Sequence, residues 1–140
     1  MKMVQKKIKL QECSRGFHLV TDEILRSMPE IKEITTGMFQ AFIQHTSASL
    51  CINENADPTV RIDFEMWYHK AVPENDPEYK HNYEGPDDMP AHLKASMLGS
   101  SVLIPISNGS LSLGMWQGIY LGEHRDRGGR RNIVITVWGE

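Results

Sequence analysis

The chain has 140 residues, of which 40% are hydrophobic and 24% charged, as in an ordinary globular protein. This length can bury a core without disulfides, so we expect one domain over residues 1–140. The formal net charge of -3 argues against a general nucleic-acid binder, which needs many basic side chains facing phosphates. No apolar run is long enough to span a bilayer or to serve as a signal peptide. Cys13 and Cys51 fit neither a disulfide framework nor a metal-binding pair, so we expect a cytoplasmic protein without a membrane partner.

The first elements along the chain are predicted from alternation and turn residues. Met1 to Leu10 alternates apolar and polar side chains, and Phe17 to Val20 is a second short apolar run, so both predict strands. Thr21 with the acidic residues after it is typical of a helix start, with the hydroxyl as the cap. That helix is expected to end at about Met28, before Pro29.

The middle of the chain predicts two strands, a helix and a long loop. The strands are expected at 38–44 and 48–52. Asp57-Pro58 opens a helix to about Lys70, with proline at its favoured first position. Residues 73–90 are rich in Pro, Asp, Asn and Glu and predict a long loop, which in a compact domain usually has a function.

The C-terminal part predicts a short helix followed by β-structure. The helix is expected from Pro90 to Leu98, and Asn108-Gly109 is the strongest short-range signal for a hairpin. Strands are predicted at 102–106, 111–113, 116–121 and 132–138. The pattern predicts an α+β domain with a large, mainly antiparallel sheet and a few short helices.

Residues 45–57 carry an unusual density of polar groups at the end of a predicted strand. They include His45, Ser47, Asn53 and Asp57. Proton transfer and ligand orientation need several polar side chains close together, so this segment is a candidate site.

The histidines in irregular segments are candidate metal ligands. His45 stands at a strand end, whereas His81 and His92 bracket the long loop that contains Asp87 and Asp88. Three imidazoles meeting near one of these carboxylates would suit zinc or another divalent ion. No local zinc spacing is present, so this requires distant residues to converge. The alternative for each is a loop histidine bonded to backbone or water, which is also what is expected of His124. His18, inside a short predicted strand, is expected to be structural.

The basic candidates are the arginines around Gly128-Gly129, namely Arg125, Arg127, Arg130 and Arg131. Guanidinium groups bind phosphates bidentately, so this cluster favours a small phosphorylated substrate. The alternative is a solvated hairpin tip.

Two further pairs carry weaker signals. The adjacent carboxylates Asp87 and Asp88 could hold Mg²⁺ while phosphate oxygens complete its shell, or lie in an exposed turn. Trp116 and Gln117 could stack on and orient a flat ring, or belong to the core.

Beyond these signals, the sequence closely resembles the YjbQ family of secondary thiamine-phosphate synthases. The resemblance rests on motifs distributed along most of the chain: Ser14 to Ile24, Gln44 to Leu50, Asn53 to Asn55, Asp57 to Val60, Asn82 to Gly85, Asp87 to Pro90, His92 to Gly99, Trp116 to Ile119, Leu121 to Arg125 and Arg130-Arg131.

This resemblance implies an α+β fold with a mixed-sheet pseudobarrel and a homotrimeric assembly. It also implies a weak or secondary condensation of hydroxymethylpyrimidine diphosphate with a thiazole phosphate, giving thiamine phosphate and pyrophosphate. Where the family usually has Gly-Thr-Trp-Gln, this chain has Met115 in place of the threonine. If that hydroxyl contacts the ligand, Met115 removes a hydrogen bond and adds bulk, which predicts reduced activity.

For this reaction the sequence suggests a role for each candidate residue. His45 and His92 would be the protonatable groups, and Asp88 would bind Mg²⁺ or the pyrimidine amine. The remaining assignments are Ser47 to catalysis, Arg125, Arg130 and Arg131 to phosphates, Trp116 and Gln117 to a ring, and Glu123 and Asn53 to substrate binding.

Two other functions are compatible with the same residues. One is a hydrolase-like enzyme with a metal on His45, His81 and His92, for which thiamine phosphate synthesis is a side reaction. The other is a non-catalytic trimer that binds a phosphorylated ligand.

Overall fold

The computed structural model describes residues 1–140 and contains eight strands, three α-helices and one short 3-10 helix. The strands are β1 (Lys2–Lys9), β2 (Gly16–Leu19), β3 (Thr36–Ile43), β4 (Ala48–Glu54), β5 (Ser101–Ser107), β6 (Ser110–Leu111), β7 (Gln117–Glu123) and β8 (Asn132–Gly139). The helices are α1 (Thr21–Ser27), α2 (Pro58–Ala71) and α3 (Asp88–Leu98), with the 3-10 helix at Pro29–Glu33.

The strands form two curled antiparallel sheets that together make a half-barrel. The larger sheet has the order β1-β8-β3-β5-β6 and the smaller one β2-β7-β4, and every strand pairing within the chain is antiparallel. The predicted α+β class is therefore confirmed.

One apolar core joins the two sheets. Phe39 of β3 and Ile135 of β8 come from the larger sheet, and Leu50 of β4 and Leu121 of β7 from the smaller one; each is at most 1% exposed. Along β8 buried and half-buried residues alternate, as the period of two requires when one face is packed. The helices α2 and α3 contact β2 and β4, so they cover the other face of the smaller sheet.

Local rules predicted two features in detail. Asn108 and Gly109 both adopt positive φ, 51° and 78°, as a two-residue type I′ hairpin turn requires. At the start of α2, the Asp57 carboxylate accepts a hydrogen bond from the Thr59 amide at 2.9 Å, and Pro58 occupies the first helical position.

Other local predictions were wrong at element ends. Thr21 does not cap α1; its hydroxyl instead accepts a hydrogen bond from the Ile119 amide, which joins α1 to β7. The third helix begins at Asp88 rather than Pro90, so the long loop is two residues shorter than predicted. Trp116 precedes its predicted strand, which begins at Gln117, and the indole is 61% exposed rather than core.

Candidate metal centre

The end of the long loop and the first turns of α3 bring four potential metal ligands together: His81, Glu84, Asp88 and His92. One donor atom from each lies within 4.8 Å of the others. Asp88 and His92 are four residues apart on α3, so helical geometry places both on one face. The loop then folds back and brings His81 and Glu84 to that face.

The contacts within this cluster are short and centre on one carboxylate oxygen. Asp88 Oδ2 lies 2.7 Å from His81 Nε2 and 3.3 Å from His92 Nε2. His81 Nε2 is also 3.0 Å from a Glu84 oxygen. Asp88 is buried, whereas the two histidines are partly accessible. An ion or a substrate can therefore reach the imidazoles from solvent.

The orientation of His92 is fixed by the backbone. Its Nδ1 lies 3.0 Å from the Thr46 carbonyl oxygen, an acceptor, so Nδ1 carries a proton, and Nε2 is the lone-pair donor whenever the ring is neutral. Metal-binding histidines are usually held in this way, with the second nitrogen bonded to a carbonyl or carboxylate. Two imidazoles and two carboxylates suit zinc or a similar transition metal better than Mg²⁺, which prefers oxygen ligands and water.

Arg125 holds the acidic side of the cluster in place. Its Nη1 donates to Asp88 Oδ1 at 2.5 Å, its Nε to Asp87 Oδ2 at 2.9 Å and its Nη2 to the Glu84 carbonyl at 3.0 Å. Asp87 also accepts from the Asp126 amide at 2.9 Å. The guanidinium therefore positions the carboxylates, and its phosphate-binding role predicted from the sequence competes with these contacts.

These contacts keep both aspartates ionised. Burial by itself would raise the pKa of Asp88, but the hydrogen bond from His81 and the charges of His92 and Arg125 lower that pKa below its ordinary value. The pKa of Asp87 is lowered in the same way, against the effect of burial, by the Asp126 amide and Arg125. Of the two, only Asp88 belongs to the cluster, where a carboxylate that stays charged suits a cation.

His45, predicted as a third metal ligand, is not part of this cluster. Its Nε2 accepts a hydrogen bond from the Asn132 amide at 2.7 Å, which commits that lone pair to the backbone. The pKa of His45 is lowered by burial and by Arg131, so the ring is neutral at physiological pH. Glu84 and Asp88 complete the cluster instead of His45.

His45 nevertheless lies beside the cluster, because it lines a cavity together with His92. This cavity has a volume of about 380 Å³, and its other lining residues are Thr46, Ala48, Ala95, Ser96, Gly99 and Ser100. A volume of this size can hold a small organic molecule. The two histidines predicted to be protonatable groups therefore line the same cavity, although only His92 belongs to the metal cluster.

The remaining predicted arginines have structural partners. Arg131 is 4% exposed, and its Nε and Nη2 donate to the two carboxylate oxygens of fully buried Glu123 at 2.8 and 2.6 Å. The same Nη2 donates to the Ser47 carbonyl at 3.2 Å. Arg130 donates to the carbonyls of Lys9 and Leu10. The predicted roles of Arg130, Arg131 and Glu123 in substrate binding are therefore not visible in this geometry.

Ser47, the remaining residue assigned to catalysis, is half-buried close to these groups. Its carbonyl is the acceptor for Arg131, and the backbone around it continues directly from His45 into β4. The hydroxyl is not among the four potential metal ligands.

Trp116, Gln117 and Asn53 lie at the opposite end of the smaller sheet. Gln117 and Glu123 mark the two ends of β7, which places them about 20 Å apart at 3.3 Å per residue. Gln117 Oε1 accepts from the Gly114 amide, and Asn53 Oδ1 from the Glu54 amide. Within one chain, these predicted substrate-binding residues are thus not brought to the metal cluster, and neighbouring Met115 is 79% exposed.

A buried polar pair lies under α3 and includes His124, which was expected to be a loop histidine bonded to backbone or water. Ser49 Oγ and His124 Nε2 are 2.9 Å apart, and both residues are at most 1% exposed. Burial, assisted by the charges of Lys94, Arg131 and Arg15, lowers the pKa of His124 to about 3, so this ring is neutral. The pair is inaccessible to substrate.

Sequence comparison with known proteins finds relatives that are described as UPF0047 proteins. A UPF0047 protein YjbQ from Escherichia coli O157:H7 is 52% identical over 136 residues, covering 97% of this chain and 98% of the relative. UPF0047 protein YugU from Bacillus subtilis is 40% identical over 106 residues, covering 76% of this chain and 77% of its own length. None of the helices in the present structure is both long and apolar enough to span a membrane.

Solved structures have the same fold. An uncharacterised conserved protein of the yjbq/upf0047 family from Clostridium acetobutylicum superposes with a TM-score of 0.80 at 36% identity, covering 96% of this chain and 99% of that one. A YbjQ-like protein of unknown function from Sulfolobus solfataricus P2 superposes with a TM-score of 0.85 at 24% identity, covering 99% of each chain. The family's sequence profile, described as UPF0047 protein YjbQ-like, matches residues 6–140, and this chain therefore belongs to that family.

Proposed function

We propose that this chain is a metal-dependent enzyme that acts on a small diphosphate substrate. The observation that supports it is the cluster of His81, Glu84, Asp88 and His92, with His92 oriented by the Thr46 carbonyl. A set of two imidazoles and two carboxylates on a partly open surface, next to a cavity, is an arrangement that fits a catalytic ion better than a closed structural one.

The contacts of the arginines favour a metal ion, and not guanidinium groups, as the partner of the diphosphate. Arg125, Arg130 and Arg131 are already bonded to carboxylates or carbonyls. When bound, a divalent ion would neutralise the negative charge that builds up on a departing diphosphate. Arg125 would then hold the carboxylates of Asp87 and Asp88 in place. Asp88 would supply a negative charge to the ion.

The reaction implied by the family resemblance is compatible with this site. The thiazole nitrogen attacks the methylene carbon of the pyrimidine diphosphate, the carbon–oxygen bond breaks, and pyrophosphate leaves with the bonding electrons. No proton has to be removed from the attacking nitrogen. The protein mainly has to orient the two reactants, for which the cavity between His45 and His92 provides space.

Metal content and product analysis test this proposal separately. Protein purified without added metal and then titrated with Zn²⁺ is expected to bind about one ion per chain, and a chelator should remove it. With both substrates, the metal-loaded protein should form thiamine phosphate. Binding of metal without any thiamine phosphate would overturn the transferase reaction alone, and release of phosphate from the diphosphate without thiazole would favour a hydrolase. Absence of binding would overturn the metal site itself.

The quaternary structure and location are further parts of the proposal. We expect a homotrimer assembled through the outer face of the larger sheet, where Met3, Phe42 and Leu103 are 66, 43 and 57% exposed. Exposed apolar side chains on one sheet face are typical of an interface. Light scattering of the wild type and of Leu103→Asp tests this, since a trimer that uses this face should dissociate in the variant.

Both cysteines are free thiols, which agrees with a cytoplasmic setting.

A further inference from the structure

A second cavity lies away from the metal cluster, between α2 and the start of β2. Its volume is about 560 Å³, within the range of small-molecule sites. Arg15, Gly16, Phe17 and His18 form one wall, and Arg61, Ile62, Glu65, Met66 and His69 of α2 form the other. None of the four potential metal ligands lines it. A ligand here would therefore bind independently of the metal.

The cavity has an apolar surface able to cover the body of a ligand. Ile62 and Met66 are four residues apart on α2 and remain 62 and 45% exposed, so their side chains stand on the same helix face with little protein over them. Opposite them is Phe17, whose ring packs edge-on against Phe64 at 5.5 Å between centroids. This packing fixes the floor of the cavity.

Two polar atoms in the lining are buried without partners. Arg61 Nε and Glu65 Oε2 are both shielded from solvent and neither forms a hydrogen bond. The two residues are at ion-pair spacing on α2, yet they form none of the ion pairs in the structure. Leaving a buried donor and a buried acceptor unsatisfied costs free energy, so these atoms do not tie either side chain in place, and either can turn toward a ligand.

Arg61 is held in position to receive such a ligand. Its guanidinium carbon lies 6.0 Å from the centroid of the Tyr120 ring, at cation–π distance. Arg15, the other guanidinium in the lining, is paired with Glu74 at 2.7 Å and Asp126 at 2.5 Å. Arg61 is therefore the guanidinium in this cavity that remains available to an anion.

We propose that this cavity binds a small organic anion, a carboxylate or a phosphate monoester on a flat or aliphatic body. Arg61 binds the anionic group, and Ile62, Met66 and Phe17 cover the apolar body. Glu65 accepts a hydrogen bond from an N–H or O–H group of the ligand. Arg15 is already neutralised by Glu74 and Asp126, so the preference for an anion rests on the unpaired guanidinium of Arg61.

Titration calorimetry or NMR with simple probes tests this proposal on the full-length protein. Benzoate and phenyl phosphate represent the two anionic groups, inorganic phosphate lacks the apolar body, and benzylamine has the opposite charge. At least one of the two aromatic anions is expected to bind, more tightly than inorganic phosphate and at least about tenfold more tightly than benzylamine. Whichever of the two binds better identifies the anionic group. Failure of both to bind would overturn the proposal.

Matched variants locate the binding. Arg61→Gln keeps most of the side-chain length and should weaken the anion at least about tenfold, which is 1.4 kcal/mol. Lys70→Gln removes the same charge from the exposed end of α2, outside the lining, and should leave binding unchanged. Equal weakening by both variants would show only a general charge effect and overturn the proposed site. Asp88→Asn should leave this binding intact, which separates the outcome from that of the metal centre.

Discussion

Arg125 and Asp88 form an ion pair in which the two oxygens of the carboxylate have different partners. Arg125 Nη1 lies 2.5 Å from Asp88 Oδ1, while Oδ2 of the same carboxylate faces His81 and His92. One oxygen is thus fixed by the guanidinium and the other is directed at the imidazoles. In metal sites such partners orient the ligand and tune its charge.

Arg125→Lys is expected to weaken metal binding about 10–100-fold. Lysine keeps the positive charge, but its compact ammonium cannot reproduce the three separate positions from which Nε, Nη1 and Nη2 of Arg125 donate to Asp87, Asp88 and the Glu84 carbonyl. Competition for Zn²⁺ against a chelator of known affinity measures the change. Arg127→Lys is the matched control, since Arg127 is exposed and takes part in no ion pair. Equal affinities for both variants and the wild type would show that Arg125 does not position Asp88.

Asp88→Asn should cost more metal affinity than Arg125→Lys, because it removes the charge of a ligand itself together with its ion pair to Arg125. The amide is nearly the same size, so the packing around α3 is retained while the negative charge is lost. Isothermal titration with Zn²⁺ gives the loss directly. Asp63→Asn, on the exposed side of α2, should bind like the wild type. If Asp88→Asn still bound zinc at wild-type affinity, the cluster would not be the metal centre.

Arg131→Met is expected to destabilise the protein by about 3–5 kcal/mol, because it leaves the charge of fully buried Glu123 without its partner. Chemical denaturation measures this. The double variant Arg131→Met with Glu123→Gln should recover part of the loss, since the uncompensated charge is then removed as well. A stable Arg131→Met protein with only a raised KM would instead support the substrate-binding role predicted from the sequence.

The sequence predicted best those features that depend on neighbouring residues. The Asn108-Gly109 hairpin turn and the helix start at Asp57-Pro58 follow from local backbone requirements, and both form as predicted. Asp88 and His92 meet because they are four residues apart on a helix. His81 and His92 were predicted to meet near one of the adjacent aspartates, and that part of the predicted metal site forms. The loop that carries His81 leads into the helix that carries Asp88 and His92.

The residue types alone do not show which partner each charged side chain contacts in the folded protein. A guanidinium has the same donors for a phosphate as for a carboxylate, so Arg131 resembles a phosphate ligand until folding places it against Glu123. Likewise, His45 differs from His92 only in what its nitrogens meet, the Asn132 amide in one case and the Thr46 carbonyl in the other. Glu84 carried no signal of its own beyond its position between His81 and Asp88.

The buried His124 makes stability depend on pH in a predictable direction. Its pKa is about 3 in the folded protein and near 6.5 when unfolded, so between these values the unfolded state binds the extra proton. Stability is therefore expected to fall as the pH drops from 6.5 toward 3, with a limiting slope of about 1.4 kcal/mol per pH unit from this group. Urea unfolding at a series of pH values measures the slope.

His124→Gln should separate this effect from other acid-sensitive groups. Glutamine can still hydrogen-bond Ser49 but does not titrate, so the variant should lose less stability than the wild type between pH 6.5 and 4. Asp87 and Asp88, whose pKa values are lowered in the folded state, lose their contribution at lower pH in both proteins. His69→Gln, at an exposed histidine, should follow the wild-type curve. Parallel curves for the wild type and His124→Gln would mean that the imidazole is protonated without unfolding, and that solvent reaches the space beneath α3.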